Sequence, residues 1–164
     1  MPVLPDYLAP DLDIVFCGMA AGPRSAAIGH YYAGRGNRFW AILQETGLTP
    51  KRLAPEEDAR VLEYGLGLTD LAKEASGVDG DLAPTAFDPD RLRCVLDLWQ
   101  PYRLAFTGRT SARIALGLKR NPPPGVCYPT GLPPVWVLPS TSGAAIRYWD
   151  PAPWRELAED VAAT

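Results

Sequence analysis

The chain has 164 residues, 47% of them hydrophobic and 21% charged, with a formal net charge of −3; this suffices for one domain with a core of ordinary size, and the acidic balance argues against an indiscriminate nucleic-acid binder. No apolar run approaches the ~20 residues of a membrane span, and the N-terminal MPVLPDYLAPDLD has no basic stretch ahead of an apolar core. One histidine, His30, and three dispersed cysteines, Cys17, Cys94 and Cys127, offer neither metal-ligand spacing nor a disulfide framework. The expectation is a cytoplasmic protein without a metal, its cysteines serving as small buried hydrophobes.

In chain order, Asp13 to Cys17 is a short apolar run that predicts a buried strand. Gly18-Met19-Ala20-Ala21-Gly22 follows and reads as a tight, glycine-bounded turn. Asn37 to Thr46 predicts a helix, with Phe39, Trp40 and Leu43 on one face and Gly47 as its stop. Pro55 to Tyr64 predicts a second, its acidic start suited to the helix dipole. A second strand is expected at Leu66 to Thr69, and a helix at Asp88 to Trp99 with Pro89 in its first turn. Arg103 to Thr107 predicts a strand, Thr110 to Leu116 a helix, and Asn121 to Pro134 a surface loop. Val135 to Pro139 predicts the last strand and Pro153 to Ala162 the last helix. Strands alternating with helices make an α/β domain over residues 1–164, with a mostly parallel sheet. Ligands of such sheets bind beyond the carboxyl ends of the strands, here after Cys17, Thr69, Thr107 and Pro139.

The segment after the first strand is the richest in chemistry. Ser25, His30, Tyr31, Tyr32, Asn37, Arg38, Phe39 and Trp40 place hydroxyls, an amide and aromatic faces in one loop. A pocket that stacks and reads a nucleobase taken out of a duplex needs those groups. A phosphate-binding loop is the alternative, although neither GxGxxG nor GxxxxGK[ST] is present. Arg24, Arg35, Arg38, Arg109, Arg113, Lys119, Arg120 and Arg147 recur in segments that follow the strands, so one edge of an acidic protein can be positive.

Gly18-Met19-Ala20-Ala21-Gly22, Gly36-Asn37-Arg38-Phe39-Trp40, Tyr64-Gly65-Leu66-Gly67-Leu68-Thr69-Asp70-Leu71 and Val135-Trp136-Val137-Leu138-Pro139-Ser140-Thr141-Ser142-Gly143 together resemble the motifs of the mismatch-specific uracil-DNA glycosylase and thymine-DNA glycosylase family. The family forms are G-I-N-P-G, A-N-R-F-W, G-[VF]-T-[KN]-[LM] and N-P-S-G, and the likeness runs from about Leu8 to Leu157. It implies a three-layer uracil-DNA-glycosylase-like fold with a four-stranded parallel sheet and a base pocket at its carboxyl edge. The implied activity is monofunctional hydrolysis of the bond between uracil and deoxyribose, chiefly in G·U mispairs, by a monomer without a cofactor. The implied partner is double-stranded DNA with a damaged or mismatched base. Tyr32 would stack on that base, with Gly18, Met19, Ala21, Gly22, Ser25, Asn37 and Ser140 around it. Arg38 and Arg109 would touch phosphates, and Ser142, Gly143, Ala144, Ala145, Ile146 and Arg147 would form the loop that enters the gap, with Ile146 or Arg147 as its wedge.

One departure is chemical. Ala20 stands where the family has the asparagine that orients the attacking water, and a methyl group cannot hydrogen-bond water. Asp70, after the second strand, is the first choice to take that role; its alternative reading is the N-cap of a helix over Leu71 to Ala75. Asp79 and His30 follow it. Two other functions stay open: a non-catalytic binder of damaged DNA or abasic sites, and a nucleotide-binding α/β domain.

Overall fold

The computed structural model describes residues 2–77 and 82–164. Five strands, β1 (Ile14–Ala21), β2 (Leu66–Ser76), β3 (Leu104–Phe106), β4 (Gly125–Cys127) and β5 (Val135–Val137), form one sheet in the order β2-β1-β3-β5-β4. The four expected strands are all present and mutually parallel, and β4 adds a fifth, antiparallel to β5. The stretch from Asn121 to Pro134 is therefore not loop throughout: glycine and proline hide a three-residue edge strand within it.

Helices α1 (Pro23–Ile28), α2 (Phe39–Glu45), α3 (Pro89–Trp99), α4 (Arg109–Leu116) and α5 (Ala152–Ala162) cover the sheet, with 3-10 segments at Pro55–Tyr64, Pro84–Ala86 and Gly143–Tyr148. Strand alternation sends Ile14, Phe16, Leu66, Leu68 and Ala105 to one face, where α2 contributes Phe39, Trp40 and Leu43 and α5 contributes Trp154 and Leu157. Val15, Cys17, Leu104, Phe106 and Val137 point to the other, against Leu92 and Leu96 of α3 and Ala112 and Ala115 of α4. Both faces are covered, which is why these strands read as continuous apolar runs. Phe39 is the hub of the first face, edge-on to Phe16 at 5.3 Å and to Trp40 at 5.0 Å.

Local chemistry sets the helix ends. Asp88 caps α3 by accepting from the Arg91 N–H at 3.0 Å, and Pro89 occupies the first turn, where no donor is needed. The chain before β1 lies along the outer edge of β2: Tyr7 bridges Leu68 in the antiparallel sense, and Val3 N–H donates to the Lys73 carbonyl at 2.7 Å. Among the described residues no helix is long and apolar enough to cross a membrane.

Three expectations are corrected here. Gly18 to Ala21 is not a turn but the second half of β1, paired Gly18 to Asp70 and Ala20 to Ala72, with a register shift only between Ala20 and Ala21. Asp70 lies inside β2 rather than after it, so the helix-cap reading fails. Cys94 is exposed rather than buried, whereas Cys17 is buried.

Candidate active site

The strand order reverses direction between β1 and β3, and the crevice at the carboxyl ends of such a pair is where an open α/β sheet offers a ligand site. Thr107 N–H donates to the Cys17 carbonyl at 3.1 Å, which continues the β1–β3 pairing and sets Thr107 beside Gly18. Three polar groups converge on Gly18. A Cβ there would lie 2.7 Å from Asp70 Oδ1, 3.3 Å from the Tyr32 hydroxyl and 3.5 Å from Thr107 Oγ1. The Tyr32 and Thr107 hydroxyls are themselves hydrogen-bonded at 2.9 Å.

Asp70 is 5% exposed, yet among the described residues no side chain or backbone group donates to its carboxylate. Burial pushes its pKa up to about 6; Lys73 opposes that rise, Asp6 adds to it and Arg91 opposes it. The group is therefore a carboxylate at neutral pH with its acceptor capacity free. Beside it lies a charged cluster. Lys73, 7% exposed, reaches Asp6 Oδ1 at 3.1 Å and donates to the Tyr31 hydroxyl at 2.9 Å. Asp6 also takes Arg91 and accepts from Thr69 Oγ1 at 2.7 Å.

Tyr32 adopts a left-handed backbone conformation, φ 51°, and stacks on Phe39 with ring centroids 3.8 Å apart and planes 16° from parallel. Its ring is half-buried, with one face against Phe39. Burial, then the Asp70 charge, raises the phenol pKa, so it remains a neutral hydroxyl.

The rest of the loop is built to hold this ring. Ser25 Oγ accepts from Ala33 N–H at 2.9 Å, and Asn37 Oδ1 accepts from Phe39 N–H at 2.9 Å, so both brace backbone. His30 Nδ1 lies 3.2 Å from Asp58 Oδ1, and Asp58 also accepts from Tyr31 N–H at 2.9 Å and Tyr7 Oη at 3.1 Å. His30 is therefore committed to the loop scaffold. A buried carboxylate with three such partners is costly to alter. Asp58→Asn is expected to lower unfolding stability by about 1–3 kcal/mol, measured as a reduced urea midpoint at unchanged slope.

The remaining candidate positions divide. Alternation along β1 puts Ala20 on the face of Gly18, one pleat further on, and turns Met19 to the opposite face, while Ala21, past the register shift, belongs to the same core cluster as Phe16. Gly22 is the N-terminal boundary of α1. Ser140 Oγ accepts from Ser142 N–H at 3.2 Å, and Ser142 Oγ accepts from Ala144 N–H at 3.3 Å, shaping the 3-10 segment Gly143–Tyr148. That segment sits on the aromatic loop, because a Cβ on Gly143 would come within 3.0 Å of the Arg35 carbonyl. Ala144 and Arg147 are exposed and Ala145 is half-buried, whereas Ile146 is 59% and Tyr148 79% exposed. Arg38 lies over the Trp149 ring at 5.6 Å and ties the two loops through its N–H to the Thr141 carbonyl at 2.9 Å. Arg109 does not face the site freely. Its guanidinium donates to the Pro122 carbonyl at 2.6 Å and the Asn121 carbonyl at 3.2 Å. Asp79 lies outside the described residues.

Three residues were missed from sequence. Thr107 had its signal, a hydroxyl at a strand end. Tyr148 was an aromatic in a loop already under suspicion. Lys73 had none, because only the length of β2 reveals that it is buried.

The family model of the uracil DNA glycosylase superfamily matches residues 5–162. Among solved structures, the chain is similar to an NMR structure from Methanosarcina acetivorans, a protein provisionally named a uracil DNA glycosylase. The two are 18% identical, with a TM-score of 0.67 over 97% of this chain and 96% of that one. At that identity the likeness shows the fold.

Proposed function

Because this chain belongs to the uracil DNA glycosylase superfamily, we propose that it is a monofunctional DNA glycosylase of the mismatch-specific type, which flips uracil out of G·U mispairs and hydrolyses its N-glycosidic bond. The observation that carries this reading is Asp70, a buried carboxylate at the switch point of the sheet, facing Gly18 and without a donor among the described residues. A water held there has a strong acceptor for one of its protons. As the bond from C1′ to the base breaks, the base leaves with the electron pair, the water oxygen bonds to C1′ and its proton passes to Asp70. The carboxylate also stabilises the positive charge on the sugar, an effect that a water-excluded site strengthens. Asp70 thereby supplies what Ala20 lacks.

In this reading the Tyr32 ring, backed by Phe39, offers its remaining face to the base. Backbone around Ala20 to Gly22 meets the base edge, and Ser25 and Asn37 act by holding the loop. Ile146 and Tyr148, the exposed apolar groups of the 3-10 segment, fill the gap in the duplex, and Arg38 and Arg147 lie near its phosphates.

A 5′-labelled duplex with one G·U pair tests the activity. Alkali-sensitive cleavage at the uracil is the expected result. Retention without cleavage would favour the second reading, a binder of damaged DNA, for which the Ala20 methyl is the motive; neither cleavage nor retention would remove DNA from the account. Repeating the assay with hypoxanthine, xanthine and thymine sets the substrate range. With Arg109 tied to the 121–122 backbone, about two phosphate contacts are expected, from Arg38 and Arg147, so affinity for the specific duplex should fall about 12-fold between 50 and 200 mM salt. A flat response would count against a DNA-facing basic edge.

A further inference from the structure

A buried lysine with no part in the reaction as written, Lys73, lies three residues beyond the proposed acceptor on the same strand. Lysine is among the residues least often buried, and burial disfavours its charge unless partners compensate. Here they are supplied from three directions: Asp6 at 3.1 Å from the N-terminal segment, the Tyr31 hydroxyl at 2.9 Å from the aromatic loop, and the Tyr31 ring face at 5.4 Å. The Tyr31 hydroxyl in turn donates to the Pro5 carbonyl at 2.7 Å, so it is fixed as an acceptor toward Lys73. Asp6 holds a second cation, Arg91 of α3, which also reaches the Asp70 carbonyl at 3.5 Å. The cluster thus contains two carboxylates, Asp6 and Asp70, and two cations, Lys73 and Arg91. Only Asp70 among them has no side-chain hydrogen bond to any of the described residues.

We propose that Lys73 is a positioning residue for Asp70: an ammonium clamped by Asp6 and Tyr31 that holds the neighbouring carboxylate ionised without occupying its lone pairs. A direct salt bridge would satisfy the carboxylate and displace the water; a cation paired instead with Asp6, yet within electrostatic reach of Asp70, supplies the field and leaves the acceptor open. Asp6 then acts as a throttle, since its negative charge works against that of Asp70 while it retains both cations. The other groups within electrostatic or hydrogen-bonding reach of this site are Arg91 from α3, Tyr31 and Tyr32 from the loop, Thr107 after β3 and, from the opposite face of β1, Cys17. Burial raises the pKa of both tyrosines and of Cys17, so they stay neutral through the working range. The charge on Asp70 is left to Lys73, Arg91 and Asp6.

This inference rests on Asp70 being the proposed acceptor, and two readouts on the full-length protein separate the two ideas. One is the titration midpoint of Asp70, followed by its carboxyl 13C resonance. The other is the acid limb of single-turnover excision from the G·U duplex. Lys73→Met is expected to raise both by about one pH unit, Asp6→Asn to lower both, and Lys73→Arg to restore parental values. Opposite displacements are the signature, because a purely structural staple between β2 and the N-terminal segment would weaken the fold in both variants and move neither midpoint. If Lys73→Met does not fold, Lys73→Gln and Asp6→Asn carry the same comparison. An unmoved Asp70 midpoint, or displacement in the same direction in both variants, overturns the role of Lys73. A midpoint that moves while the acid limb stays overturns the catalytic reading of Asp70 and leaves Lys73 as the holder of its charge.

Discussion

Asp70→Asn is expected to excise uracil about 10²- to 10³-fold more slowly than the parent, the usual cost of losing one positioned polar group in a water-excluded site, and to be the more stable protein. The two effects share a cause. Burial makes the ionised form of Asp70 unfavourable, which is why its pKa is pushed up to about 6. The unfolded chain has no such penalty, so at pH 7 the native state holds a carboxylate that it would rather protonate. The cost is full above about pH 6 and disappears as pH falls through 6 toward the unfolded value. Asparagine removes it, with a gain on the order of 2–3 kcal/mol at pH 7 and none near pH 4. Chemical denaturation of parent and variant at those two pH values measures this. Activity in the parent has the opposite dependence, falling as pH drops through about 6 because the acceptor becomes protonated. Full excision activity in a folded Asp70→Asn protein would end the assignment, and equal stability at pH 7 would show that the carboxylate is better solvated than its surroundings imply.

A residue that lowers stability where it is needed for chemistry is hard to read from local sequence, and Asp70 illustrates why. The four parallel strands were legible because each is apolar throughout and covered on both faces. The helices were legible from their stripes and from punctuation such as Asp88-Pro89 and Gly47. Gly18 to Ala21 was misread as a turn because small residues and glycine are the common vocabulary of turns. What makes them strand is eleven residues of β2 alongside, a pairing across 52 positions from Gly18 to Asp70 that no local pattern contains. Leu-Thr-Asp-Leu-Ala-Lys-Glu was cut short for the same reason. Charged side chains end a strand in a local reading, yet Asp6, 63 positions before Thr69 and 85 before Arg91, arrives through the N-terminal segment and compensates buried Lys73 and half-buried Arg91. The aromatic loop was the opposite case. Its residue types announced a pocket, but sequence could not separate Tyr32, which reaches the Gly18 site, from Ser25, His30 and Asn37, which hold the loop.

Gly18 is the position where fold and chemistry press hardest on one another, and Gly18→Ala should abolish detectable excision, a loss of at least about 10²-fold, in a protein that still folds. The added methyl would start 2.7 Å from Asp70 Oδ1 and 3.3 Å from the Tyr32 hydroxyl. Neither neighbour can yield easily. Asp70 is fixed in the middle of β2 with its backbone in register, and Tyr32 is held by stacking on Phe39 and by its bond to Thr107. Overpacking of this kind costs about 1–3 kcal/mol, and the methyl also covers the carboxylate that a water must reach. The backbone conformation of Gly18 is not the obstacle, since it is ordinary strand without a positive φ, so glycine is required here for space alone. That distinguishes it from Gly29, at φ 80° with nothing within 4 Å of a built Cβ, where alanine should strain the turn and leave excision intact. Measuring both variants for stability and single-turnover excision checks the argument: a Gly18→Ala protein that works at the parental rate would mean that the reacting atoms lie elsewhere than the meeting point of Gly18, Asp70, Tyr32 and Thr107.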